Sequence, residues 1–590
     1  MKQFFKFMFA SMLGFFLTFV IIAFISMGIL FSVALSTKKE VTVSKNSVLH
    51  IELKNPVTDR TSNNPMENFD FNSFESKTTL GLDKILKCIK KAKTDDNIKG
   101  IYLDLSIIPS GAATTEEIRN ALIDFKKSGK FIISYSEVYS QKAYYLASVS
   151  DKIYMNPEGT LIFKGLSANI MFFKGTLEKL DIKAQIIRHG KFKSAVEPFM
   201  LDSISQANRE QTTKYISSIW NNILKGISET RKIDIDELNE IADNFKIQTP
   251  EDAVKYKFID KLMYKDELLA ELRNRLEIKE NKKIKYMALN KYSKVPDKNI
   301  KKIKTKNKIA VIYASGDINS GKGDDKKIGS ETISKAIRKA RLDSSVKAIV
   351  LRVNSPGGSA LASDVIWREM NLSKKTKPVV VSMGNVAASG GYYISCSADK
   401  IIAQPNTITG SIGVFGIIPD MKDFFNNKLG ITFSNVKTNK YADLPSTVRP
   451  LTETEESIIQ NEVERIYKIF IKHVAQGRNM TVAQVDSIGQ GRVWTGTDAK
   501  EIGLIDDIGG IDKAIKTASE LAKIENNYKI IYLPKQKNIF SQIFEKFGDN
   551  IKNSAVKSKL GDNYKYYKHL NSIINKKGVQ ARLAYDIDIN

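Results

Sequence analysis

Only two cysteines, Cys88 and Cys396, stand in a chain of 590 residues. A disulfide framework is therefore excluded, although a single bridge is not, and no C-x-x-C pair or His/Cys cluster offers ligands for zinc. Histidine is nearly as scarce: His50, His189, His473 and His569 are the whole supply. Acidic residues are also short, 65 against 91 lysines and arginines, for a formal net charge of +26. That excess is poorly focused, lying largely in residues 279–308 and the C-terminal tail, without the interleaved aromatics that stack on bases. It reads as a solvated linker or a basic surface near anionic lipid, not as a nucleic-acid footprint.

Charge is missing altogether from Phe7 to Thr37. This apolar run exceeds the roughly 20 residues needed to cross a bilayer. It is longer than the apolar region of a cleaved signal peptide and ends in ALSTKKE, so an uncleaved signal anchor is expected. Lys2 and Lys6 precede it and Lys38 and Lys39 follow it, which leaves orientation undecided by charge.

What is present is one unit written twice. KGIYLDLS from Lys99 matches KAIVLRVN from Lys347, and KFIISYSEVYSQKAYYLASVSDKIYMNP from Lys130 matches KPVVVSMGNVAASGGYYISCSADKIIAQP from Lys377. Each copy continues into an amphipathic helix: Tyr215, Ile219, Ile223 and Leu224 in the first, Val463, Ile466, Tyr467 and Phe470 in the second. Thr452 and Glu455 form a capping box for the second helix. EDAVKYKFIDKL from Glu251 echoes TDAKEIGLIDDI from Thr497. Short apolar strands alternating with helices predict an α/β unit with largely parallel strands. The expected organisation is an anchor over 1–46, a first repeat over 47–290, a basic linker over 291–308, a second repeat over 309–535, and an extension over 536–590 that matches neither repeat.

The copies differ where chemistry is possible. NVAASGGYY in the second places Ser389 between a strand end and a helix start, where the first has Gln141. Alone, such a Ser/Gly cluster reads first as a tight packing or turn element. The second copy also ends its IVLRV strand in NSPGGS, whose Gly357 and Gly358 would let backbone N–H groups approach a reacting carbonyl; the first has SIIPSG. Conversely, Lys193 in the first copy faces Ala442 in the second. A lysine titrating near its ordinary value of about 10.4 is a poor base at neutral pH, so Lys193 would need burial, which Ala195 and Val196 suit. His189, facing Thr438, is the rival base, whereas Lys191 matches Lys440 and reads as a surface residue.

GKFKSAVEPF, NSPGGS, NVAASGGYY and TGSIGVFG, in this order, resemble the long, tandem-domain form of the signal peptide peptidase A family, bacterial membrane-anchored Ser/Lys peptidases. The resemblance covers roughly residues 1–535. It implies two tandem ClpP/crotonase-like α/β domains after the transmembrane helix, Ser389 as nucleophile and Lys193 as general base. It also implies that Ser411 helps to place the lysine. Gly358 or Gly357, with the N–H of Ser389 or Gly390, would form the oxyanion hole. Further implications are a homotetramer, catalytic domains on the extracytoplasmic (periplasmic) side of the cytoplasmic membrane, cleaved signal peptides and other unfolded apolar segments as substrates, and no metal or ATP. The alternatives are a crotonase-like acyl-CoA enzyme, using the same oxyanion pocket without the serine, and a non-catalytic membrane scaffold.

Overall fold

The computed structural model describes residues 2–36, 41–64, 69–70, 75–76, 79–297, 304–536 and 579–583. The centre of the basic linker, Lys38 and Lys39, and His569 with most of the C-terminal extension lie outside these. The helix Lys2–Ser36 contains residues 7–36 of the apolar run, and its stretch Gln3–Ile22 is long and apolar enough to cross a membrane. Phe7 and Phe15 on it are 69% and 77% exposed to solvent, an arrangement that water disfavours and lipid does not.

The two copies build two sheets of matching order. In the first, strands run Lys261–Leu262, Lys152–Leu161, Phe131–Tyr139, Ile98–Asp104, Ser47–Ile51 and Lys285–Ala288, all paired in parallel. In the second, the corresponding core is Val379–Ala388, Val346–Ser355, Lys308–Ser315 and Lys529–Leu533, again parallel. Lys400–Ala403 and Ile408–Gly410 both lie along Val379–Ala388, doing together what the single strand Lys152–Leu161 does in the first copy. Burial on both faces explains the near-continuous Val/Ile/Leu runs. Part of the lysine-rich region is structural: Lys285–Ala288 forms the edge strand on Ser47–Ile51, with Met287, Leu289 and Tyr292 buried.

The halves are not beads on a string. The helix Ile511–Leu521 of the second copy packs its Ile511, Ala514, Ile515 and Ala518 into the same apolar core as Leu86, Ile89 and Phe125 of the first. The long amphipathic helices, Gln206–Arg231 and Glu453–Arg478, bury the expected stripes, and the Thr452–Glu455 capping box is formed. Cys88 and Cys396 are both free and buried.

A third sheet matters most for function. Its order is Lys327–Gly329, Asp317–Asn319, Gly357–Ser359, Gln580–Arg582, Val414–Asp420 and Lys183–His189. It therefore takes one strand from the first copy, four from the second, and one from the C-terminal extension.

Candidate active site

Ser389 closes the strand Val379–Ala388 and immediately precedes the short helix Gly390–Tyr393. Its backbone sits at φ 54°, ψ −113°, a region that non-glycine residues avoid, held there by its N–H donating to the Gly410 carbonyl at 2.8 Å. Strain of this kind, costing on the order of 1–3 kcal/mol, turns the side chain out of the strand-to-helix corner. Ser389 is 0% exposed, and its Oγ donates to the Gly413 carbonyl at 3.3 Å.

Lys193 arrives from the other copy. The strand Lys183–His189 pairs antiparallel with Val414–Asp420, and the turn that follows it carries Lys193 to the serine. Lys193 Nζ lies 2.9 Å from Ser389 Oγ, 3.1 Å from Ser411 Oγ and 3.3 Å from the Ser411 carbonyl, all within one chain. Lys193 is 1% exposed, its amine over the ring of Phe415, which packs with Ala195 and Val196. No carboxylate pairs with it among the described residues. Burial alone lowers its pKa to about 7, so near neutrality a substantial share of it is the free amine.

Three supports for this lysine are silent in a residue-by-residue comparison of the copies. The loop Gln490–Arg492 ties both partners down: the Gln490 carbonyl accepts from Phe192 N–H at 3.0 Å, Gly491 N–H donates to Ile412, and the Arg492 carbonyl accepts from Ser411 N–H, each of these at 2.7 Å. Gly491, at φ 82°, lies so close that a Cβ there would stand 2.7 Å from the Lys193 Cα and Cβ. Gln211, 1% exposed, donates to the Phe192 carbonyl and to Ser194 Oγ and accepts from Val493 N–H, bridging the lysine turn to the second copy. Only the glycines of IGQGR hint at this in sequence.

The rival bases are placed elsewhere. His189 Nδ1 pairs with Glu464 at 2.8 Å and its ring stacks on Tyr467. Lys191 is exposed, its amine over the Phe192 ring. Among the oxyanion candidates, Gly357 N–H is taken by Ser355 Oγ at 3.1 Å and Ser389 N–H by Gly410. Gly358 is paired in register with Ala581 of the C-terminal extension, and Gly390 opens the short helix that follows the serine.

A buried hydroxyl in contact with a neutral amine, beside two backbone N–H groups, is suited to nucleophilic acyl transfer. Comparison with known proteins agrees in class. The profile of peptidase family S49 matches residues 124–279 and 371–525, one match in each copy, and a Clp protease profile matches residues 301–409. Protease 4 of Salmonella typhi is 39% identical over 453 residues, 75% of this chain and 72% of that protein. Protease 4 of Haemophilus influenzae is 38% identical over 451 residues, 74% and 72% respectively. The chloroplastic serine protease SPPA of Arabidopsis thaliana is 33% identical over 551 residues, 92% of this chain and 78% of that one. The acyl-CoA and scaffold readings thereby give way. The chain belongs to peptidase family S49, and is a serine peptidase built from two tandem ClpP-like α/β repeats.

Proposed function

We propose that this chain is a membrane-anchored endopeptidase in which the Lys193 amine is the general base for Ser389. The observation that carries the reading is their 2.9 Å contact between two fully buried side chains. Free Lys193 amine takes the hydroxyl proton as Ser389 Oγ attacks the peptide carbonyl. The Gly358 and Gly390 N–H groups receive the developing oxyanion, and Lys193 returns the proton to the departing amine. Ser411, through its hydroxyl and carbonyl, orients the amine. The first repeat, over 47–290, supplies the base, and the second, over 309–535, supplies the nucleophile.

The substrates we assign are cleaved signal peptides and other unfolded apolar segments. The helix Lys2–Ser36 anchors the enzyme in the cytoplasmic membrane, with both repeats on the extracytoplasmic face, and four chains assemble. The deciding experiment is fluorophosphonate labelling of the full chain in detergent, with the adduct mapped by mass spectrometry. Label on Ser389, abolished in Ser389→Ala and reduced at least a hundredfold in rate in Lys193→Met, is expected; undiminished labelling of Lys193→Met would sink the dyad.

A further inference from the structure

The first copy keeps the place where the second holds its serine. Gln141, opposite Ser389, fills that corner: its Oε1 accepts from Lys164 N–H at 3.1 Å and Gly165 N–H at 3.2 Å, and its Nε2 donates to the Gly165 carbonyl at 3.2 Å. Gly165 is the counterpart of Gly413, whose carbonyl receives Ser389 Oγ in the second copy. Beside Gln141 the cleft has not closed. A cavity of about 30 Å³ remains, walled by Ala112, Tyr145, Leu166, Ile219 and Ile223. The first three of these are the counterparts of Ala360, Tyr393 and Val414.

Two polar side chains break this apolar lining. Lys142 stands opposite Gly390, and its Nζ donates at 2.9 Å to the carbonyl of Ser110, which stands opposite Gly358. Where the second copy has the glycines assigned to a transient oxyanion, the first therefore carries a full cation. The other is Asn406, which comes from the second copy. It is 2% exposed, and its Oδ1 accepts from Asn222 Nδ2 at 3.1 Å, which fixes the orientation of the amide. Its Nδ2 has no hydrogen-bond partner among the described residues. An unpaired buried donor costs stability, and an acceptor oxygen in the cavity relieves that cost. The space itself holds about two water-sized groups, enough for a methyl or ethyl and too little for an aromatic ring.

We propose that this cavity in the first copy binds the C-terminal carboxylate of a peptide whose last residue is small, alanine above all. The methyl group lies among Leu166, Ile219 and Ile223, and the carboxylate accepts from Lys142 Nζ and Asn406 Nδ2. Charge selects the chain end. An internal carbonyl gives Lys142 no charge to meet, whereas a terminal carboxylate makes charge-assisted hydrogen bonds, about twice as strong as neutral ones. Removal of a signal peptide leaves a small residue at its end. The site thus suits a signal peptide already cut free and not the same segment still joined to its protein. That choice of peptide rests on the function proposed above, while the binding chemistry rests on the cavity alone. No bond is made or broken there, since Gln141 offers no nucleophile.

The test is titration calorimetry of the full chain in detergent, its Ser389 capped with a fluorophosphonate, against acetyl-Leu-Ala-Ala as the free acid and as the carboxamide. The acid is expected to bind at least tenfold more tightly than the amide. Asn406→Leu and Lys142→Met are each expected to erase that preference, and Ile223→Trp, which fills the cavity, to abolish binding. Equal binding of acid and amide, no binding of the acid at millimolar concentration, or acid binding that survives Ile223→Trp overturns the inference and spares the peptidase reading. Carbodiimide coupling of the acid peptide to wild type gives a second readout that needs no variant. Peptide found by mass spectrometry on Lys142 ahead of other lysines supports the site, and coupling without preference overturns it. A chain that binds the acid selectively but never labels at Ser389 sinks the peptidase reading and leaves the site standing.

Discussion

In the proposed mechanism Lys193 can act as the base because its surroundings refuse its charge. Burial holds the amine at about 7, whereas an unfolded lysine titrates near 10.4. The base must be neutral to act, so kcat/KM is expected to fall about tenfold per unit as pH drops below about 7, and to level off above it. Stability moves with pH in a defined direction. Between the two pKa values the unfolded chain binds the extra proton, so stability rises with pH across that window, and below about 7 the cost of burial is present in full. Replacing the amine with a methyl thioether removes that cost. Lys193→Met is therefore expected to be inactive yet more stable, by on the order of a few kcal/mol at about pH 6.5, with the gain shrinking by about pH 9.5. Denaturant unfolding at the two pH values reads this directly. That Ser389 and Lys193 are candidates for one pair was legible in sequence, because one copy keeps the serine and the other keeps the lysine. The positive φ of Ser389 and the partners of the amine were not, since they depend on which carbonyls and hydroxyls the fold brings to that point.

At the scale of elements, the site is held by loops that only meet because strands from both copies share a sheet. Gly491 is the clearest case. Its φ of 82° and its contact with the Lys193 backbone leave no room for a side chain. Gly491→Ala is expected to push the lysine turn away from Ser389 and lower kcat/KM by at least tenfold, because misplacing a catalytic group by about 1 Å costs up to 10²-fold. An unchanged far-UV circular dichroism spectrum and a loss confined mainly to kcat would identify displacement of the base. The elements themselves were readable: apolar runs for buried parallel strands, three-and-four spacing for the long helices, and the Thr452–Glu455 cap. The edge strand Lys285–Ala288 was obscured by surrounding lysines, because an edge strand buries little and tolerates charge. The strand Gln580–Arg582 was unreadable for another reason: three residues, with no repeat partner, have no periodicity to reveal them.

For the whole molecule, the question is what keeps two repeats in one register. Beside the apolar core they share, a buried ion network crosses between them. Arg352, on the strand that leads to the oxyanion glycines, donates to Asp59 at 2.7 Å and to Glu117 at 2.6 Å, both from the first copy. Asp59 also accepts from Asn354 at 2.6 Å, and Glu117 caps Ile511 N–H at 2.9 Å. Breaking one member strands a buried charge, at a cost of about 3–5 kcal/mol. Glu117→Ala is expected to lower the unfolding midpoint by that order and to reduce fluorophosphonate labelling in parallel, since the network fixes the copy carrying Lys193 against the copy carrying Ser389. Arg352→Met with Asp59→Leu and Glu117→Leu is expected to recover most of the stability, as calorimetry or denaturant titration would show. By itself the sequence determined the local and the repeated: the apolar N-terminal run, two α/β units, and the serine and the lysine that each copy keeps alone, because periodicity and internal comparison need no knowledge of distant contacts. Tertiary structure alone decided the 2.9 Å approach of Lys193 to Ser389, the Arg352 network and the seating of Val579–Leu583 beside Gly358. Each of these depends on chain segments far apart in sequence meeting in a low-dielectric interior, where burial sets a pKa, makes an ion pair matter and turns a tail into a strand.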